Sequence, residues 1–439
     1  MKQAYIQVGI LSDETIRFSF SGKYTCNNKE IPVNKEFSAT CSSEKITFDG
    51  RQYESLLFEP SSNGATFCLY EVTIGVNFHW ERKNNQYFQG KLQLLASDGK
   101  LIVINIIPVE DYLVSVISSE MSATASLEFL KAHAVISRSW LLAQIEKNKT
   151  LSSVNETYTA ITQTKDSYIR WYDREDHQLF DVCADDHCQR YQGIPQFIPP
   201  LAKQAVSETH GEVLMYENVI CDARFSKCCG GITEEFQYAW EPVKHPYLTA
   251  IADRKTIASS FSDLSVEENA TNWIRTSPEA FCNTSDKEVL SQVLNDFDQE
   301  TTQFYRWKVE YTQLELASLI ASRSGIDFGE IIDMIPIERG KSGRLTQLKI
   351  VGSKHSLIFG KELEIRRILS TSHLYSSAFV IDKEDIQNNI PQRFILIGAG
   401  WGHGVGLCQI GAAVMGEKGY KYDEILTHYF SHASIEKRY

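Results

Sequence analysis

Up to about residue 105, apolar and polar positions alternate in short runs: IQVGI, TIRFSF, KITFDG, LYEVTIGV, LQLLA and LIVINII. A period of two predicts β-strands, and Asp98-Gly99 is a turn signal between the last two. From Ser126 the period becomes helical, with Leu130, Ala134, Ser137, Leu141 and Ile145 on one face. Ser126 is a candidate N-cap and Glu128 stands in the first turn, where an acid complements the helix dipole. A polar stretch, 148–190, is rich in Asp, His, Thr and Tyr. Helical patterns return within 263–325, in EVLSQVLNDF and in LELASLIASRSG, the latter closed by Gly325. Strand patterns follow at RLTQLKIVG and RFILIG, then two short helical signals, with Asp423 a candidate cap for DEILTHYF. Strands are segregated from helices, so the expected fold class is α+β, multi-unit and largely antiparallel, with helices around a central cleft.

At 439 residues the chain exceeds one average core. The expected division is a β-rich region over 1–100, a core over 101–260, a second α+β region over 261–385, and a segment over 386–439 that returns to the core. Hydrophobic residues at 43% and charged residues at 23% leave no room for extensive disorder. A net charge of −12 argues against nucleic acid or another bulk polyanion as partner. A glycan that is neutral along its backbone suits this surface better. No apolar run approaches the roughly 20 residues that span a bilayer. The start, MKQAYIQVGI, does not read as a signal peptide, which leaves a cytosolic protein or an export signal outside this chain. Ten cysteines, at 26, 41, 68, 183, 188, 221, 228, 229, 282 and 408, form no even framework and leave the compartment open.

Three segments carry candidate chemistry. In VEDYLVSVISSEMSATASLEFLKAHAVISRSWLL, residues 109–142, Glu120 lies just before the predicted helix, where a loop can leave a carboxyl group at a cleft. A glutamate there can equally do no more than complement the helix dipole. In GAGWGHGVGLCQIGA, glycine falls at 398, 400, 402, 404 and 406; if the stretch is extended, all five share one face. Such a bare face admits a ligand or another backbone, and it fits no dinucleotide fingerprint. His403 has few packing reasons to stand in a glycine-lined groove. In RFSKCCGGITEEFQYAWEPVKHPYL, Gly230-Gly231 marks a turn. Cys228-Cys229 is read there as two small buried side chains in preference to a redox or metal-binding pair.

These segments, in this order, resemble the SpoIID/LytB family of bacterial cell-wall proteins. The resemblance rests on Glu110-Asp111-Tyr112-Leu113 at an expected strand end, Glu120-Met121, the helix Lys131 to Leu142, and Cys229-Gly230-Gly231. It continues through Trp240, Pro246-Tyr247-Leu248, SGRLTQLKIVG, ELEIRRILS, Gly400 to Ala412, and Glu424 to Phe430. Ser122, His133, Ser139-Trp140 and Lys227-Cys228-Cys229 depart from the family pattern. The resemblance implies a lytic transglycosylase that cuts peptidoglycan glycan strands, in the cell envelope, with Glu120 as acid/base and no cofactor required for catalysis. One carboxyl group suffices, since it protonates the glycosidic oxygen and then accepts the proton of the muramic acid 6-hydroxyl that attacks the anomeric carbon. A hydrolase would need a second carboxylate, with Glu110 and Asp111 the first candidates. Partial burial is expected to keep Glu120 partly protonated near neutrality. Arg138, Gly400, Trp401, His403 and Gln409 are the candidate substrate-binding residues, and a single cleft is expected to unite Glu120, Arg138, His403 and Gln409. The LytB branch implies an alternative, a non-catalytic glycan-binding enhancer of a cell-wall amidase.

The polar stretch also holds His177-x5-Cys183-x3-His187-Cys188, a sufficient donor set for tetrahedral Zn2+. The ligands fall within twelve residues, which keeps loop closure cheap. A Cys183–Cys188 disulfide and two unrelated thiols are the competing readings. Zinc here would serve structure or positioning; a zinc-dependent hydrolase is the weakest of the functional readings.

Overall fold

Thr15–Ser21 turns Ile16, Phe18 and Phe20 inward and its alternate residues toward solvent, which is what a period of two does when one sheet face is covered. The computed structural model describes residues 4–74, 82–122, 124–151, 160–171, 177–185, 188–194, 200–255, 262–293 and 303–439. The N-terminal strands form two sheets. One has seven strands, in the order Val182–Cys183, Tyr5–Asp13, Lys100–Pro108, Lys91–Ser97, Ser55–Pro60 and the short pair Tyr24–Cys26 and Lys29–Ile31. The other has six, with Thr15–Ser21 between Thr66–Ile74 and Glu36–Ser42. Their inner faces meet through Phe18 and Phe58, whose rings lie 5.4 Å apart edge to face. Each buried phenylalanine there contributes roughly 2–3 kcal/mol of apolar burial. The Asp98-Gly99 turn joins its two strands with positive φ at both positions, as a type I′ hairpin requires.

Helix α1 (Val109–Glu120) begins where the strand Lys100–Pro108 ends. Glu110-Asp111-Tyr112-Leu113 is therefore its first turn, not the end of a strand. Val109, Tyr112, Leu113, Val116 and Ile117 recur at helical spacing and are all buried, and the two acids complement the dipole. Helix α2 (Leu127–Leu151) follows and buries Leu130, Ala134, Ser137 and Leu141. The Ser126 carbonyl accepts from Leu130 N at its start, but the Ser126 hydroxyl caps nothing among the described residues.

Five further helices precede the second sheet system: α3 (Pro200–Glu208), α4 (Phe236–Ala239), α5 (Glu267–Arg275), α6 (Lys287–Val293) and α7 (Gln313–Ser324). Helix α7 has a Thr312/Glu315 capping box and ends at Gly325 with φ 73°, the left-handed stop its sequence announces. Helix α8 (Glu362–Ile368) lies with it over strands Ile331–Arg339, Leu345–Gly352 and Ser356–Gly360. A second apolar cluster gathers there, around Trp307, Leu316, Phe328, Leu348, Ile365 and Phe394. The chain then returns: strand Arg393–Ala399 leads to Leu407–Cys408, which pairs in parallel with Phe225–Ser226. Helices α9 (Gln409–Glu417) and α10 (Tyr422–Tyr429) both pack on α2. Lys421, not Asp423, is the N-cap of α10. Most pairings are antiparallel, so the fold is mixed α+β. Among the described residues, no helix is long and apolar enough to cross a membrane.

Candidate active site

Glu120 is the last residue of α1, half-buried, with the chain passing into an extended Met121. The carbonyl end of a helix opposes added negative charge. Against this, Glu120 Oε1 accepts a hydrogen bond from the backbone N–H of Arg190 at 3.2 Å. The carboxylate thus meets the end of the His/Cys stretch. The same stretch supports α1 from behind, where Gln189 accepts from the Tyr112 hydroxyl at 3.3 Å and Tyr191 stacks on the Tyr112 ring at 5.0 Å.

Arg138 lies elsewhere. It has no exposed surface, and its guanidinium grips both oxygens of Glu110 at 2.9 and 2.6 Å. The remaining Arg138 amino group donates to the Glu212 carbonyl at 3.0 Å. The terminal Tyr439 hydroxyl donates to Glu110 Oε1 at 2.6 Å. This fork–fork pair locks the first turn of α1 to the middle of α2 and to the C-terminus. It occupies Arg138 far along α1 from Glu120, and it also occupies Glu110, one of the two candidate second carboxylates.

The glycine segment is not an extended strand. Gly400, Gly402, Gly404 and Gly406 all have positive φ, between 74° and 89°, so the chain winds instead of presenting one bare face. Its concavity holds Arg344, which is 1% exposed and donates to the carbonyls of Gly402 at 3.0 Å and Cys229 at 3.2 Å. A Cβ on Gly404 would stand 2.4 Å from the Arg344 Cζ, whereas one on Gly419 would meet nothing within 4 Å. Both glycines have positive φ. Gly404→Ala should therefore cost about 3 kcal/mol or more, and Gly419→Ala about 1–2 kcal/mol of left-handed backbone strain alone. Denaturation of the two variants checks this; equal losses would remove Arg344 from the explanation.

Trp401 is half-buried, exchanges both backbone hydrogen bonds with Cys228, and packs between Phe304 at 4.8 Å and Tyr375 at 4.7 Å. His403 Nδ1 accepts from Val405 N at 3.0 Å, so the ring is neutral with its proton on Nε2. Burial and then the nearby Arg224 hold it well below the ordinary imidazole range. Trp240 stands edge to face on His403 at 5.0 Å, and Arg224 lies over Trp240 at 4.3 Å while paired with Asp222. Gln409 is 2% exposed, and its Nε2 lies 3.1 Å from the Nε2 of His133, a contact that joins the C-terminal segment to α2. Of the five candidate substrate contacts, Arg138, Gly400 and Gln409 are buried, while Trp401 and His403 keep some surface. Arg190, Arg224, Asp222 and Arg344 were not singled out by sequence. Each acts through tertiary placement, and no local spacing announces it.

The ligand atoms of His177, Cys183 and Cys188 lie within 4.8 Å of one another, with His177 Nε2 3.4 Å from Cys188 Sγ. His187, the fourth candidate ligand, lies outside the described residues. Two thiols and an imidazole at this separation fit a soft divalent ion.

Comparison with known proteins gives the class of protein first. The family described as Stage II sporulation protein matches residues 97–216, which hold α1, Glu120, α2 and the His/Cys stretch. A domain of unknown function, DUF8618, matches residues 234–406. The chain is 24% identical to stage II sporulation protein D of Bacillus subtilis over 407 residues, 92% of this chain and 88% of that protein. It is 25% identical over 352 residues to an uncharacterized protein of Brachyspira hyodysenteriae, 80% of this chain and 73% of that protein. It is also 27% identical to the amidase enhancer of Bacillus subtilis over 337 residues, which span 39% of that longer protein. Residues 97–216 thus carry a Stage II sporulation protein domain, and the chain is similar to stage II sporulation protein D and to the amidase enhancer across most of its length.

Proposed function

We propose that this protein cleaves peptidoglycan glycan strands as a lytic transglycosylase, with Glu120 as its single acid/base. The observation that carries the reading is the setting of Glu120, which ends α1 half-exposed and accepts the backbone N–H of Arg190. A half-exposed carboxyl group can accept from a substrate hydroxyl and carry a transferred proton. Glu110 is bound to Arg138, Tyr439 and Gly211, which suits internal attack by the sugar better than a two-carboxylate hydrolysis that uses Glu110. Trp401, Trp240 and His403 keep partial exposure and would offer flat faces to sugar rings.

In the same reading, His177, Cys183 and Cys188, with His187, hold a zinc ion that stiffens the stretch whose Arg190 N–H steadies Glu120. Cys183→Ser should remove about one zinc per chain and weaken glycan cleavage without unfolding the protein. Elemental analysis of protein purified without added metal reads this, and unchanged zinc in Cys183→Ser would contradict it.

The second reading, a glycan-binding enhancer, draws on the similarity to the amidase enhancer. The two separate in one assay that compares glycan release by the protein alone and amide cleavage by an added cell-wall amidase with and without it. Release by the protein alone supports the enzyme. Stimulated amide cleavage with no release supports the enhancer.

A further inference from the structure

Outside the Glu120 region, three thiols and a carboxylate converge in the interior. The Sγ atoms of Cys229, Cys282 and Cys408 and a carboxylate oxygen of Asp253 lie within 4.8 Å of one another, and all four residues are at least 98% buried. We infer that Cys229, Cys282, Cys408 and Asp253 form a second, structural metal site that takes a tetrahedral zinc ion.

The spacing favours one ion. With Zn–S bonds of about 2.3 Å, the edge of a tetrahedron is roughly 3.8 Å. Cys229 and Cys282 have their sulfurs 3.6 Å apart, close to that edge and far from the ~2.0 Å of a disulfide. The surroundings are those of metal-bound thiolates, whose sulfurs and carboxylates are held by outer donors. Cys229 N donates to Cys408 Sγ at 3.2 Å, and Gly231 N to Cys229 Sγ at 3.4 Å. Asp253 accepts from Cys282 N at 2.9 Å and from the Tyr429 hydroxyl at 2.6 Å. Cys408 is the N-cap of α9, where the helix dipole favours a thiolate. His428 Nε2 has no hydrogen-bond partner among the described residues and lies 3.9 Å from Asp253 Oδ1, where it stands ready to support the bound carboxylate.

The ligands come from four separate stretches: the CCGG turn, the chain after Ile251, the Phe281-Cys282 turn and the start of α9. One ion would tie them together behind Trp401, whose backbone pairs with Cys228 beside the first ligand. All four donors are protein groups in a closed interior, which makes the site structural, not catalytic. Both members of the cysteine pair are buried, as their sequence suggests, and one of them, Cys229, belongs to this constellation.

The test uses the full chain carrying Cys183→Ser and Cys188→Ser, so that the other candidate cluster cannot contribute. Purified with reductant and without chelator, this protein should retain about one zinc per chain, and adding Cys282→Ser should lower that to under about a tenth. Cobalt replacement in the folded Cys183→Ser/Cys188→Ser protein gives a readout that does not depend on whether Cys282→Ser folds. Tetrahedral d–d bands with thiolate-to-cobalt charge transfer are expected. Absence of both zinc and the cobalt spectrum from the folded background protein would overturn the inference. So would a Cys229–Cys282 disulfide found by mass spectrometry of the non-reduced protein.

Discussion

Glu120→Gln is expected to fold, to bind glycan and to lose at least ~100-fold in glycan cleavage, the usual scale of a general acid–base contribution. The substitution is nearly isosteric, and the amide oxygen can still accept the Arg190 N–H that holds Glu120 Oε1 at 3.2 Å. What it removes is the proton the mechanism needs, first for the departing glycosidic oxygen and then from the muramic acid 6-hydroxyl. Glu110, one candidate to take over, is committed to Arg138 and Tyr439. Rates measured beside binding to the same strands separate chemistry from recognition. Unchanged turnover in Glu120→Gln would remove Glu120 from the mechanism.

The second large effect lies in stability. Arg138→Met should cost about 3–5 kcal/mol, because it leaves Glu110 buried with its charge uncompensated. Burial pushes the Glu110 carboxyl up, but the Arg138 and Tyr439 hydrogen bonds outweigh it and hold the group below its ordinary 4.5. The sign follows from linkage. A depressed carboxyl contributes stability above its unfolded value and loses it as pH falls through the folded one. The wild type should therefore lose this contribution below about pH 4.5, and Arg138→Met should lack that acid-dependent component. Replacing both residues with apolar ones of similar volume should recover much of the loss. Urea midpoints at pH 7 and pH 4 read both effects. A single variant as stable as wild type would show that the pair does not clamp α1 to α2.

The N-terminal strands were legible because each buries one face: Ile16, Phe18 and Phe20 alternate with solvent-facing residues, and the Asp98-Gly99 turn carries its own chemistry. Three-residue strands such as Tyr24–Cys26 and Lys29–Ile31 were not, since their pairing depends on partners far along the chain. Helix α1 was legible in principle. Val109, Tyr112, Leu113, Val116 and Ile117 have helical spacing, yet the reading of Glu110 to Leu113 as a strand end obscured it. Glu120 and the His/Cys stretch were found as motifs, and the structure adds that Arg190 links them. The backbone of the glycine segment was not legible, because regular spacing of glycine is compatible with any backbone, and the winding around Arg344 depends on tertiary placement. Arg138 illustrates the same limit. A buried arginine and a substrate-binding arginine look alike until the partner, here Glu110, is placed beside it.

The most direct test of the central claim is mass spectrometry of the products released from peptide-free glycan strands by the wild-type protein. Internal attack by the muramic acid 6-hydroxyl forms a ring and admits no water, so the new ends should be 1,6-anhydro-N-acetylmuramic acid. Products one water heavier, with ordinary reducing ends, would contradict a transglycosylase and point to hydrolysis.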